Sequence, residues 1–176
     1  MSKAYQDFLD NYLNAYSWVQ RRDGTPLDLL DVLSEEEKIK AEDELLNKLS
    51  RRDTWIIEGL GHLKSRKALP QLYKLLRRTK GSVKAQTALA IWKISGDEQL
   101  VNVVLKLSHN TGHYLLRLIS SFIEFEMIDI IYCLAQFPQK EAEQRLKELT
   151  FDSRYLVSYN ANRALTLRKT YYKIEL

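Results

Sequence analysis

The chain has 176 residues, of which 45% are hydrophobic and 28% charged, with only three prolines and six glycines. Such a composition is that of a globular protein, and the scarcity of proline and glycine favours long helices. One cysteine, Cys133, excludes an intramolecular disulfide. The first residues lack a signal peptide, and no uncharged apolar run approaches the roughly 18 residues of a membrane span. We therefore expect one domain in a reducing compartment, by default the cytoplasm, with no membrane partner.

The charges are unevenly distributed along the chain. Residues 1–50 carry six basic and eleven acidic side chains, residues 51–95 carry eleven and two, and residues 96–176 carry ten of each. This asymmetry predicts a dipolar surface, which can steer a charged partner.

The first 33 residues are predicted to form a cap. Residues 3–21 predict one amphipathic helix, which Gly24 and Pro26 end. Its apolar stripe is Tyr5, Phe8, Leu9, Tyr12, Leu13, Tyr16 and Val19.

A second helix is predicted from Ser34, whose spacing to Glu37 is that of a capping box, to about Leu49. The apolar face of this helix is predicted to be Ile39, Leu45, Leu46 and Leu49.

A small residue followed by a large apolar one recurs every 31 positions, at Gly59-Leu60, Ala90-Ile91 and Ser121-Phe122. A fixed period in this range is typical of stacked supersecondary units. Asp53 can cap the first helix of this series, and Ser95-Gly96-Asp97 can stop one helix and begin the next. The predicted helices cover about 54–63, 67–78, 82–94, 97–108, 113–125, 139–149 and 153–167.

The register slips after the third pair. Ala164-Leu165 follows Ser121 by twelve residues more than the period, which is about the length of one short helix with its connection. We expect an inserted helix at 126–137, with Pro138 opening the next. A swap in helix order would also accommodate the slip, and the sequence leaves both open. The whole chain, 1–176, is then a single domain: a cap at 1–33, helix pairs at 34–167 and a tail at 168–176.

Residues 80–107 resemble a short HEAT-like repeat of the bilin-lyase type. The matches are Val83, Ala90-Ile91 and Gly96-Asp97, with Lys84 in place of an arginine and Thr87 in place of an alanine. The last unit matches at Val157, Ala161 and Ala164-Leu165, so that the likeness covers about 40–167.

This resemblance implies an all-α fold, a right-handed α-α superhelix. It also implies that the second helix of each pair, at about 54–63, 82–94, 113–125 and 153–167, lines a concave face. Any ligand would then bind the non-core positions of those helices.

No catalytic constellation, metal site or cofactor motif is predicted. His109 and His113 have the spacing of a metal pair, but a predicted turn separates them and no third ligand lies nearby. Cys133 lies in an apolar helix with no base beside it, which indicates a buried core residue rather than a nucleophile.

We therefore expect a non-enzymatic protein that binds another protein on its concave face, as a bacterial adaptor or a toxin-immunity protein would. Tryptophan, tyrosine and arginine are the usual interface anchors, so a partly exposed row of Trp55, Trp92 and Tyr159 is predicted. Whether the chain is a monomer or a homodimer stays open. The predicted contact residues are Trp55, Glu58, His62, Trp92, Lys93, Glu124, Tyr159, Asn162 and Arg163.

A basic cluster offers an alternative partner, since it could neutralise phosphates of a nucleic acid. In a DNA-glycosylase-like reading, Glu58 or Glu124 would supply an acidic group among aromatics. A chromophore-lyase-like subunit is a further alternative, and a plain solvated surface explains the cluster equally well. The cluster comprises Lys64, Arg66, Lys67, Lys74, Arg77, Arg78, Lys80 and Lys84.

Overall fold

The computed structural model describes residues 1–109 and 120–172, with side chains in the second range from Phe125 onward. In these ranges all the regular secondary structure is helical and there is no strand, as the sequence predicts. A π-helical turn, Leu9–Leu13, extends α1, and a 3-10 turn, Arg66–Ala68, leads into α6. The helices are α1 Lys3–Phe8, α2 Trp18–Arg21, α3 Asp28–Asp31, α4 Glu35–Lys48, α5 Thr54–His62, α6 Leu69–Arg78, α7 Gly81–Ser95, α8 Leu100–Ser108, α9 Ser120–Ala135, α10 Lys140–Leu149 and α11 Tyr155–Tyr172.

Three predicted helix boundaries are confirmed by their capping geometry. The side chains of Ser34 and Glu37 form the reciprocal bonds of a capping box at the start of α4. The carboxylate of Asp53 accepts a 3.1 Å hydrogen bond from the backbone N–H of Trp55. Gly96 ends α7 with φ at 74°, a left-handed conformation that glycine adopts without strain.

The helices pack in two layers. α5, α7, α9 and α11 form one row, in which each helix packs against the next; we call it the odd-numbered row. The helices α4, α6, α8 and α10 lie against this row, each beside the helix or the two helices that adjoin it in the chain. Within the row, α5 approaches α7 closely at Gly61, where an added Cβ would lie 2.9 Å from the Cα of Ala90.

The cap differs from the single helix predicted over 3–21. The helix ends at Leu13, and Tyr16 and Val19, predicted on its buried stripe, are 67% and 64% exposed. Arg21 accounts for the end of the helix at this point. Its guanidinium donates to the carbonyl of Ala15 and to the carboxylate of Asp53, and so holds the chain after Leu13 in a bend. In α4, the predicted Ile39 is exposed, whereas the predicted Leu45 is buried together with Ala41, and Leu46 and Leu49 are partly buried.

The predicted inserted helix at 126–137 does not occur as a separate element, since α9 is continuous from Ser120 to Ala135. Cys133 on α9 contacts Gln86 on α7, 47 positions away, whereas Tyr132 contacts Asn160 on α11 over only 28. The contact between α7 and α9 therefore spans more residues than the contact between α9 and α11. The additional residues that shift the repeat precede this part of α9 and do not follow it. The 31-residue repeat does not describe this region, because Ser121-Phe122 lies at the start of α9, whereas Gln86 of α7 contacts Cys133 near the end of α9.

Arg168 joins α11 to the segment that follows α9. The residues predicted as a tail from 168 are helical as far as Tyr172, and Arg168 is only 3% exposed. Its guanidinium donates to the carbonyls of Phe137, Pro138 and Gln139, which follow the end of α9. Of the helix predicted at 113–125, residues 113–119, including His113, lie outside the described residues.

Candidate binding surface

Of the predicted row of partly exposed aromatics, Trp55 is buried, Trp92 is half-buried and Tyr159 is exposed. Trp55 is 6% exposed, with its ring centroid 5.8 Å from that of Tyr12 and the Arg21 guanidinium 4.6 Å above it. Trp92 is half-buried, and its ring lies 5.1 Å from that of Phe137. Both tryptophans are packing residues, because the cap covers one and the α9–α10 connection covers the other.

Two of the predicted contact residues, Glu58 and Lys93, belong to one electrostatic cluster where α5, α7 and α9 meet. A cleft of about 110 Å³ lies at this junction. Within it the thiol of Cys133 donates to the side-chain oxygen of Gln86 at 3.1 Å. The cleft is lined by Thr54, Glu58, Ser82, Gln86, Asp129, Tyr132, Cys133 and Gln136.

The charges of this cluster are perturbed by burial. Burial raises the pKa of Glu58, which Asp129 also raises, whereas the hydroxyl of Thr25 and the charge of Lys93 lower it. Burial raises the pKa of Asp129 and lowers the pKa of Lys93. Opposed shifts of this kind occur at functional sites and also in structural polar networks.

The prediction that Cys133 is a buried core residue is confirmed, since it is 2% exposed. Burial raises the pKa of its thiol, so the nucleophilic thiolate is disfavoured. Among the described residues, no three histidine, cysteine, aspartate or glutamate side chains are grouped as metal ligands.

Of the other predicted contact residues, His62 is engaged within the protein. Its Nε2 lies 2.6 Å from a carboxylate oxygen of Asp31 and so joins α5 to α3. The side chain of Glu124 lies outside the described residues.

The predicted residues of α11, in contrast, are exposed. Tyr159 is 46% exposed, and Asn162 and Arg163 also face solvent. Tyr155, which sequence reasoning missed, is 73% exposed and stacks on Tyr159 with centroids 5.7 Å apart and rings inclined by 25°. The Arg163 guanidinium lies 6.0 Å from the centroid of the Tyr159 ring, within cation–π range.

These side chains form a line along α11. Tyr155, Tyr159, Arg163 and Leu167 are spaced four residues apart, and we call them the α11 ridge. The spacing was the signal that could have revealed Tyr155, since residues i and i+4 are neighbours on a helix. The opposite side of α11 packs against α9 and α10, and its buried residues are Val157, Asn160, Ala161, Ala164 and Arg168.

A second exposed apolar group lies on the cap, at Tyr16, Trp18 and Val19. Lys48 occupies one side of it, because its ammonium group bonds the Tyr16 hydroxyl at 2.8 Å and lies 5.5 Å from that ring. Trp18 and Val19 of this group lie on the four-residue helix α2, whereas the α11 ridge lies on a helix of 18 residues.

The basic cluster is only partly neutralised within the protein. Lys67 pairs with Glu42 at 2.9 Å and Asp43 at 3.3 Å. The other seven cations form no ion pair with the described residues. Lys80 and Lys84 also line a cavity of about 880 Å³ between α7, α8 and α9.

No family model matches the chain, and neither the curated proteins nor the solved structures gave a match. Within the described ranges, no helix is both long and apolar enough to cross a membrane.

Proposed function

We propose that this chain is a non-enzymatic protein-binding module, and that the α11 ridge is its binding surface. The observation that carries the proposal is the stacked, outward-facing pair Tyr155 and Tyr159 with Arg163 beside it. Tyrosine and arginine dominate the binding energy of protein interfaces, because each buries a large area and retains a polar group. A protein partner would dehydrate these rings, which no described helix of the chain covers.

The two-layered packing supports the further proposal that the fold is a HEAT-like, right-handed α-α superhelix. In such arrays each unit contacts only its neighbours, so the last helix presents a face that an end cap or a partner must cover. The α11 ridge lies on the last of the described helices. A cytoplasmic adaptor or a toxin-immunity protein is the class that we favour, by analogy of size and fold alone.

The polar cluster around Glu58 does not alter this proposal. Its narrow cleft and its buried thiol favour a structural network between α5, α7 and α9, in which Thr25 and Gln86 satisfy part of the hydrogen-bonding capacity. Buried polar networks of this kind specify how helices register against one another.

The proposal is tested by affinity capture from the cells that naturally produce the chain. The bait is the tagged full chain, compared with Tyr155→Ala/Tyr159→Ala and with Trp18→Ala, a matched change of an exposed aromatic on the cap. We expect a protein that wild type and Trp18→Ala capture and that the double variant loses. Equal capture by the double variant would contradict the proposal. Loss with Trp18→Ala alone would assign binding to the cap.

Nucleic-acid binding is the second candidate function. The seven cations without ion pairs among the described residues favour it, since unpaired cations are free to neutralise phosphates. The test is a gel-shift titration at about 50 mM salt, where phosphate contacts are strongest. Binding that weakens steeply with salt and that is lost in Lys74→Gln/Arg77→Gln/Arg78→Gln would support this candidate, and absence of binding would end it.

A further inference from the structure

The α11 ridge has the geometry of one half of a helix–helix interface. Side chains four residues apart form an inclined ridge that fits the groove between the corresponding ridges of a second helix. The 18 residues of α11 extend over about 27 Å, which is long enough for several turns of a partner helix to lie across it.

The position of α11 in the row indicates the same kind of partner. Within the odd-numbered row, α5 packs against α7, α7 against α9 and α9 against α11. Among the described helices, α11 packs in this row against α9 alone. The ridge lies on the side of α11 opposite its buried residues, where a further helix could pack.

The charge of α11 indicates what that neighbour carries. None of its 18 residues is acidic, and Arg163 and Lys169 are exposed cations. A second copy that paired its own α11 with this one would oppose like charges, which disfavours such a dimer. An acidic helix would place opposite charges together and would leave the tyrosines to pack against its apolar stripe.

We infer, on the basis of the proposed protein-binding function, that the partner presents an amphipathic α-helix with acidic side chains beside its apolar stripe. This helix packs across Tyr155, Tyr159 and Leu167 as an additional member of the odd-numbered row. Arg163, at the centre of the ridge, pairs with an acidic side chain of the partner. An amphipathic helix bound through its apolar face in this way makes contact through residues at i, i+3, i+4 and i+7.

The test is site-specific photo-cross-linking in the cells that produce the chain. The photoreactive amino acid p-benzoylphenylalanine replaces Tyr155 or Tyr159 in the full chain, and Trp18 in the control, and cross-linked peptides are identified by mass spectrometry. We expect both ridge positions, and not position 18, to label one segment of another protein. That segment should have helical apolar periodicity and a net negative charge.

The outcomes separate the inference from the function on which it rests. If the ridge positions give no product that the control lacks, the proposed function itself fails. A ridge-specific product with a basic or extended segment, with nucleic acid, or with a second copy of this chain overturns the inference. The second-copy case includes the chain's own acidic helix α4.

A charge reversal completes the test. The cross-linked segment is synthesised as a peptide, and its affinity is measured for wild type, Arg163→Glu and Arg163→Lys. We expect at least a tenfold loss for Arg163→Glu and a smaller loss for Arg163→Lys, which retains the charge. Unchanged affinity in Arg163→Glu would overturn the pairing between Arg163 and an acidic side chain.

Discussion

Tyr155 and Tyr159 stack on each other, one turn apart, on the side of α11 opposite the one that packs against α9 and α10. Their rings contribute little to folding in this position, because both remain in contact with water. Arg163 follows one turn later and extends the line. Exposed aromatic side chains beside an arginine are typical of a binding surface, whereas a folding core consists of buried side chains.

We expect Arg168 to stabilise the fold, in contrast to Arg163 on the α11 ridge. Arg168→Met would leave the carbonyls of Phe137, Pro138 and Gln139 without their buried donor, and we expect a loss of about 2 to 3 kcal/mol in the free energy of unfolding. The matched control is Arg163→Met on the exposed side of the same helix, expected to change stability by less than about 0.5 kcal/mol. Urea denaturation measures both, and equal effects would refute the distinction.

The approach of α5 to α7 should depend on Gly61. In Gly61→Ala the new methyl group would lie 2.9 Å from the Cα and 3.0 Å from the Cβ of Ala90. Overpacking of this kind costs about 1 to 3 kcal/mol, against a gain of about 1 kcal/mol in helix propensity. We expect a net loss of stability by urea denaturation.

A double-mutant cycle checks the cause of that loss. Adding Ala90→Gly removes one of the two atoms that crowd the new methyl group, so the two changes together should destabilise less than the sum of the single changes. Strict additivity would show that Gly61 acts without contacting Ala90.

The buried carboxyl of Glu58 should make stability depend on pH. Because the pKa in the folded protein is raised above the ordinary value of 4.5, the folded state holds the proton more tightly than the unfolded state does. The stability contributed by this group is complete below pH 4.5 and is lost as the pH rises through the raised pKa. Glu58→Gln does not titrate and can still accept the Thr25 hydrogen bond.

We therefore expect Glu58→Gln to gain stability relative to wild type as the pH rises from 4 to 8. Each unit of pKa shift corresponds to about 1.4 kcal/mol. Urea denaturation across this range measures the difference in stability between the two proteins. If the stability of Glu58→Gln relative to wild type stayed constant, or fell as the pH rises, the raised pKa of Glu58 would be contradicted.

The sequence was sufficient to predict the helices whose ends carry their own capping signals. Ser34, Asp53 and Gly96 act on backbone groups within a few residues, so local pattern is enough to place them. The break after Leu13 could not be predicted in this way, because it depends on Arg21 reaching Asp53, 32 positions away.

The candidate surface was predictable only in part, for a related reason. Tyr159, Asn162 and Arg163, predicted on a concave face, are exposed on α11, whereas Trp55, predicted to be partly exposed, is buried and Trp92 is half-buried. Helical spacing assigns residues to a face, but which face another element covers depends on tertiary packing. The cap reaches over Trp55, and the connection after α9 reaches Trp92 through Phe137.

The central claim is that the α11 ridge binds a protein partner, and the most direct measurement is the affinity of the purified partner for variants of the ridge. We expect Tyr155→Ala/Tyr159→Ala to weaken binding at least 30-fold, about 2 kcal/mol, and Trp18→Ala to leave the affinity within about twofold. The double variant should unfold at the same urea concentration as wild type. Equal affinity of wild type and of the folded double variant would contradict the account.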